Sequence, residues 1–274
     1  MRTEPSAARS VIVGIDGSRG AVHAAVWAIA EAVGRDVPLR LVAAAVPTGT
    51  AAEDAVRHAA TTVESLDTGV KIEWQIARGD PLAVLIEASS SGAMICVGAI
   101  GLAHFTRGRT GSTASALAQS AHCPMAIVRG RDGTPPSGAI LVILDNLPND
   151  GAVLLAAMEE ARLRAAPLHA LTTWHPTPDD RGEPGAVATG NRAVRARLDQ
   201  RLAAWTQRYP DVAVTTVAVH GGLGDYLSSQ ARAIQLVVVG RRDRHDAAGL
   251  FGAAATATLH ESNCSVLIIN GGHL

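Results

Sequence analysis

The residues best placed to do chemistry in this 274-residue chain are small ones. Gly98-Ala99-Ile100-Gly101 is followed by the nine residues LAHFTRGRT and then by Gly111-Ser112-Thr113. Glycines at 98 and 101 let a backbone come close to a ligand and take up positive φ. Gly111, Ser112 and Thr113 fall where a helix begins, so free N–H groups and the helix dipole there favour a phosphate. The two hydroxyls add donors, or cap the helix when no ligand is bound. Taken alone, two glycines and a helix start describe many ordinary strand-to-helix loops. This one stands out because it lies within a repeated strand–helix architecture, after the fourth strand, at one defined spacing. Arg107 and Arg109, inside the nine-residue stretch, either neutralise phosphate charge or face solvent. Asp16 closes the apolar run VIVGID. It either accepts hydrogen bonds from a ligand or caps the next helix together with Ser18, and the two roles can coexist.

Other chemistries lack their residues. Lys71 is the only lysine and lies in the strand-like KIEWQIA, so the Gly-Lys-Ser/Thr step of a P-loop NTPase is missing. His122 and Cys123 are neighbours in sequence, which rarely lets a base face a nucleophile. His104 reads as a solvated loop residue. His220-Gly221-Gly222 has no accompanying G-x-S-x-G elbow and reads as a strand end and a turn. Cys96, Cys123 and Cys264 are isolated and read as small buried hydrophobes. With no base or metal cluster to activate water, any hydrolysis is expected to be slow, and no enzymatic role is expected.

The elements that must position these residues alternate between apolar runs and helical patterns. Strands are expected at 11–16, 39–46, 71–77, 93–99 and 124–128. Helices are expected between them, including an Ala-rich one over 51–67, one begun by Asp80-Pro81 and one from Ser112 to His122. In the first helix Val22, Val26, Ile29 and Val33 form one stripe, the expected core face. Residues 131–138 fall in a Gly/Pro-rich linker, after which the pattern repeats. AILVILD matches VIVGID, with Asp145 in the place of Asp16, and later strands are expected at 167–174, 212–219, 235–240 and 265–270. The segments 111–128 and 252–269 align without a gap, setting Cys123 on Cys264. The chain is therefore expected to hold two domains, 1–130 and 139–274. Each is α/β with a doubly wound, open parallel sheet whose ligand site lies at the carboxyl ends of the strands.

Composition narrows the partners. The net charge is −1 and 47% of residues are hydrophobic. Near-neutrality argues against nucleic acid and against a polybasic membrane binder. No apolar run reaches the ~20 residues of a membrane span, and MRTEPSAARS lacks the apolar core of a signal peptide. A cytoplasmic location is expected.

The G-x2-G-x9-G-S/T pattern after the fourth strand, VIVGIDGS near the start and AHCPMAIV at the end of the first half together resemble the universal stress protein family, in its tandem form common in actinobacteria. The resemblance covers nearly the whole chain. It implies two sheets of strand order 3-2-1-4-5, of the adenine nucleotide alpha hydrolase-like kind, and ATP as ligand, with or without Mg2+. It implies that Gly98, Gly101, Gly111 and Ser112 embrace ribose and phosphates and that Thr113 adds a phosphate contact. Ile15, Asp16, Gly17 and Ser18 would lie beside adenine and ribose, and Ala44 would line the adenine pocket. Arg107, from the nine-residue stretch, is also taken as a nucleotide contact that neutralises phosphate charge. The resemblance also implies pairing through fifth strands, as a homodimer or as a pseudo-dimer within the chain, and a part in stress response or dormancy signalling with an unnamed protein partner.

The second half departs from this pattern. Its loop reads Gly240-Arg241-Arg242-Asp243, eight residues, then Gly252-Ala253-Ala254. Asp243 replaces the second glycine, the spacing is one short, and alanines replace the hydroxyls. Arg241, Arg242 and Arg244 still offer positive charge. The expectation is one nucleotide per chain, in the first half, with a nucleotide-independent interaction module as the alternative.

Overall fold

Ten strands lie side by side in the order β3-β2-β1-β4-β5-β10-β9-β6-β7-β8. The computed structural model describes residues 9–45, 50–99, 111–130, 138–144, 150–175, 185–220, 223–241 and 264–270. In the first half these are β1 (Ser10–Gly14), α1 (Arg19–Arg35), β2 (Leu39–Ala45), α2 (Ala51–Glu64), β3 (Ile72–Arg78), α3 (Pro81–Ser89), β4 (Gly92–Gly98), α4 (Ser112–Ser120) and β5 (Met125–Val128). The second half holds β6 (Ala139–Ile143), α5 (Asp150–Leu163), β7 (Leu168–Trp174), α6 (Ala186–Arg208), β8 (Val214–His220), α7 (Leu223–Gln230), β9 (Ile234–Gly240) and β10 (Ser265–Ile269).

Each half has the expected order 3-2-1-4-5, with every pair inside a half parallel. The join is antiparallel: Ile127 lies opposite Val266, Ala126 opposite Leu267 and Met125 opposite Ile268. The two five-stranded sheets thus form one, related by an approximate two-fold axis between β5 and β10. The chain pairs its own fifth strands, so both are used up internally and the sheet's free edges are β3 and β8.

The central strands are apolar and rich in β-branched residues because both faces are covered, whereas the edge strands β3 and β8 are partly exposed and carry polar residues. One face carries α1, α2, α5 and α6; the other carries α3, α4 and α7. Local signals start the helices where expected. Asp80 accepts from the N–H groups of Leu82 and Ala83 at 3.0 and 3.1 Å, with Pro81 following it.

The stripe expected to face the core on α1 does not. Ile29 is buried, but Val26 and Val33 are 36% and 53% exposed. The buried face is instead Ala21, Ala24, Ala25, Ala28 and Ala32. Methyl-sized side chains bring the helix backbone close to the sheet, and the wider valines fall on the opposite side.

Sequence reasoning also missed a buried ion-pair ring. Aligning β1 with β6 sets Glu31 of α1 on Glu160 of α5, and Arg35 on Arg164. At the axis the four meet. Arg35 binds Glu31 within its own helix and reaches Glu160 at 3.3 Å. Arg164 binds Glu160 and reaches Glu31 at 2.5 Å. Both carboxylates are almost fully buried. The Arg164 guanidinium also lies 4.6 Å from the Trp27 ring centroid. Each glutamate precedes its arginine by one helical turn, a spacing visible in sequence. Nothing in that spacing says that two such pairs will face each other.

Candidate functional site

Strand order reverses beside β1, where α1 crosses to β2 on one side and β4 pairs on the other. Crevices at such points, outside the strands' carboxyl ends, are where open α/β sheets hold ligands. Three of the expected segments meet there.

The first is the turn from β1 into α1. The Ile15 N–H donates to the Val42 carbonyl at 2.8 Å, and the Ile15 side chain is in the core, so only its backbone faces outward. Asp16 Oδ1 accepts from the Ser18 N–H at 2.9 Å. Gly17 sits at φ 83°, a left-handed position that a side chain would strain. Ser18 caps α1, accepting from the Ala21 N–H at 3.1 Å. The capping role considered for Asp16 and Ser18 is therefore realised, and the Asp16 side chain is exposed at the crevice.

The second is the end of β4. A Cβ on Gly98 would lie 2.5 Å from the carbonyl carbon of Gly20 and 3.0 Å from the Ala21 nitrogen. The start of α1 and the end of β4 touch backbone to backbone, which only glycine permits. Ala99 then turns back, its carbonyl accepting from the Gly111 N–H at 2.9 Å. This bond closes the base of the loop between the two glycine-bearing ends.

The third is the start of α4. The first helical bond runs from the Ser115 N–H to the Gly111 carbonyl at 3.0 Å. The N–H groups of Ser112, Thr113 and Ala114 precede it, and no side chain caps this end. Ser112 is exposed and Thr113 half-buried. Ala44, half-buried near the end of β2, packs toward the α3/α4 side. Gly101, Arg107 and the rest of the nine-residue stretch lie outside the described residues.

The second half is built differently at the matching strand end. A Cβ on Gly240 would meet only the Val153 Cγ2 methyl, at 3.2 Å. The Arg241 side chain donates to the Ala121 carbonyl at 2.8 Å, at the C-terminal end of α4 in the other half. That arginine spends its charge on the junction between halves. Asn270 donates to the same carbonyl at 3.0 Å and to that of Cys123 at 2.8 Å. Asp145, Asp243 and Gly252 lie outside the described residues.

The thiols are not nucleophiles in the fold. Burial pushes Cys123 and Cys264 up to about 12 and raises Cys96 further from reactivity. All three are expected to resist iodoacetamide at about pH 8 in the native protein and to react once it unfolds. A mass shift on the folded chain would contradict this burial. His122 is exposed, its N–H held by Ser89 Oγ at 2.9 Å. Among the described residues no His, Cys, Asp and Glu group clusters as a metal site, and no helix is long and apolar enough to cross a membrane.

Known proteins carry the same pattern. The sequence profile of the Universal stress protein family matches residues 8–129 and again 137–270. Universal stress protein Rv2028c of Mycobacterium tuberculosis is 43% identical, the alignment covering 97% of each chain. Universal stress protein Rv3134c of the same organism is 40% identical, over 99% of this chain and 100% of its own. A crystal structure of a universal stress protein from Archaeoglobus fulgidus shares the fold, with a TM-score of 0.69 over 97% of each chain at 14% identity. Two profile matches and full-length relatives at this identity place the chain in the universal stress protein family, in tandem form.

Proposed function

We propose that this chain binds one ATP in its first half and acts in stress-response regulation, without enzymatic turnover beyond slow hydrolysis. In this reading residues 1–130 and 139–274 are two domains joined by 131–138, and the protein works in the cytoplasm. The observation that carries the proposal is the Gly98–Gly20 approach beside the uncapped start of α4. That approach holds the turn into α1 against the end of β4, and the start of α4 beside it presents N–H groups to phosphate. The residues present fit such a ligand. Gly98, Gly101, Gly111, Ser112 and Thr113 hold ribose and phosphates, with Arg107 balancing charge. Gly17, Ser18 and the backbone of Ile15 wall the crevice, Ala44 lines the base pocket, and Asp16 accepts from the ribose. Mg2+ would ride on the triphosphate. The second half, with Arg241 committed to the junction and a changed loop, serves as packing partner.

The test is to purify the protein without added nucleotide, denature it and identify what is released. Near one ATP per chain supports the proposal. No released nucleotide and no ATP binding by titration would leave the nucleotide-independent interaction module as the better account. Gly101→Glu should abolish binding, whereas Asp243→Glu should change it little.

A further inference from the structure

The helix that begins at the proposed phosphate site ends against the other half of the chain. α4 is short, and its buried face is two alanines and a leucine: Ala114, Leu117 and Ala118. Its last bond runs from the Ala121 N–H to the Leu117 carbonyl at 2.8 Å. Ala121 is extended, and the chain leads from it into β5. Ala121 is also buried, and its carbonyl takes two side-chain donors, Arg241 at 2.8 Å and Asn270 at 3.0 Å. Both come from the second half. Next to them the His122 N–H donates to Ser89 Oγ of α3 at 2.9 Å, a tie within the first half.

The approximate two-fold separates the contacts that join the halves from the one particular to α4. Arg129 and Asn270 follow β5 and β10 at matching positions. Each reaches across the axis to the carbonyl of a cysteine, Arg129 to Cys264 at 3.3 Å and Asn270 to Cys123 at 2.8 Å. Arg241 follows β9 as Ala99 follows β4, and their backbones bond alike. The Ala99 N–H donates to the Val128 carbonyl at 2.9 Å and the Arg241 N–H to the Ile269 carbonyl at 2.7 Å. Ala99 ends in a methyl group, so it cannot return the side-chain bond that Arg241 makes. Arg241 is thus fixed by its backbone to the end of β10 and extends a charged donor to the end of α4.

We propose that Arg241 is a positioning residue for the nucleotide of the first half, so that the second half acts on that site through α4. This rests on the ATP reading above. The nine residues of α4 put the Ala121 carbonyl about 14 Å from the first N–H groups of the helix. Over that length a helix moves as a rod, and holding its far end fixes where the N–H groups of Ser112, Thr113 and Ala114 point. A face of mostly methyl groups buries little area and grips the sheet weakly. The charge-assisted bond from Arg241 therefore matters more to the placement of α4 than it would to a leucine-lined helix. Phosphate is held by directed N–H bonds, which weaken steeply when misaligned. A cation at the C-terminal end also complements the dipole whose positive end faces the phosphate.

Two measurements on the full chain test this, amide hydrogen exchange without nucleotide and calorimetric titration with ATP. Arg241 is half-buried; Arg241→Met keeps its stem and removes the donors, and Arg241→Lys keeps a charged donor. In Arg241→Met the α4 peptide should exchange about threefold faster or more, with β1 and α1 unchanged, and ATP should bind about tenfold more weakly. Arg241→Lys should restore slow exchange and bring ATP affinity within about threefold of wild type. If wild type binds ATP and Arg241→Met binds it equally well, the inference falls and the ATP reading stands. Unchanged exchange in α4, faster exchange spread equally over β1 and α1, or a lysine variant no better than the methionine one overturns the inference in the same way. A wild-type chain that binds no ATP overturns the ATP reading, and this inference with it.

Discussion

At about pH 9, where Glu160 is ionised, replacing Arg164 by alanine is expected to lower unfolding free energy by about 3–5 kcal/mol, seen as an earlier urea midpoint at unchanged m-value. Arg164 is the only guanidinium that is nearly buried in the ring, and it serves Glu31 and Glu160 from the opposite helix. Without it, two buried carboxylates share Arg35 alone, and that arginine is partly exposed. The loss should shrink in an Arg164→Ala/Glu160→Gln double variant, because the uncompensated charge is then gone. A double variant no more stable than the single one would show that packing against Trp27, not charge, is what Arg164 supplies.

The same ring predicts a pH dependence. Burial, and then the charge of Glu31, push the Glu160 carboxyl from an ordinary 4.5 up to about 8. The folded protein thus binds this proton more tightly than the unfolded chain. Its stabilising contribution is complete below the unfolded value and is lost as pH climbs toward the folded one. Wild-type stability should therefore decline between about pH 5 and about pH 8, and Glu160→Gln should flatten that decline. An equal slope in both proteins would mean that Glu160 does not hold the proton.

The second large effect is expected from Gly98→Ala set against Gly240→Ala. The two glycines end matching strands, yet their surroundings differ. At 98 the new methyl meets the Gly20 backbone, which cannot move aside without displacing the start of α1. A destabilisation of about 1–3 kcal/mol is expected from such overpacking, together with loss of ATP binding by two orders of magnitude or more if the proposed site is right. At 240 the methyl meets only a valine side chain, and a change under about 1 kcal/mol is expected. Calorimetry for binding and urea melts for stability separate the two consequences. Equal effects at both positions would show that the crevice of the first half is not special.

Much of this molecule is legible in the sequence because its signals are local. Asp80 caps α3 and Ser18 caps α1 through hydrogen bonds that span two or three residues, and such bonds are written into residue type and spacing. The strands read clearly because burial on both faces demands continuous apolar runs, and the order 3-2-1-4-5 followed from the family resemblance. Gly98 could be singled out by its spacing to Gly101 and Gly111 after a buried strand, although the close approach it permits is to the start of α1.

What the chain alone could not say concerns surfaces that meet at a distance. Helical spacing found a valine stripe on α1, but alanines also repeat at that period, and only close packing on the sheet decides which set is inside. Glu31 and Arg35 look like an ordinary surface pair one turn apart. They become a buried ring only because β5 and β10 join antiparallel and bring α1 against α5. Arg241 looked available to an anion until that same junction gave it the end of α4. The elements, their caps and the duplication are written along the chain, since they depend on near neighbours. Which faces are buried follows from packing helices onto the sheet, and the sharing of charge between the halves joins residues more than a hundred positions apart.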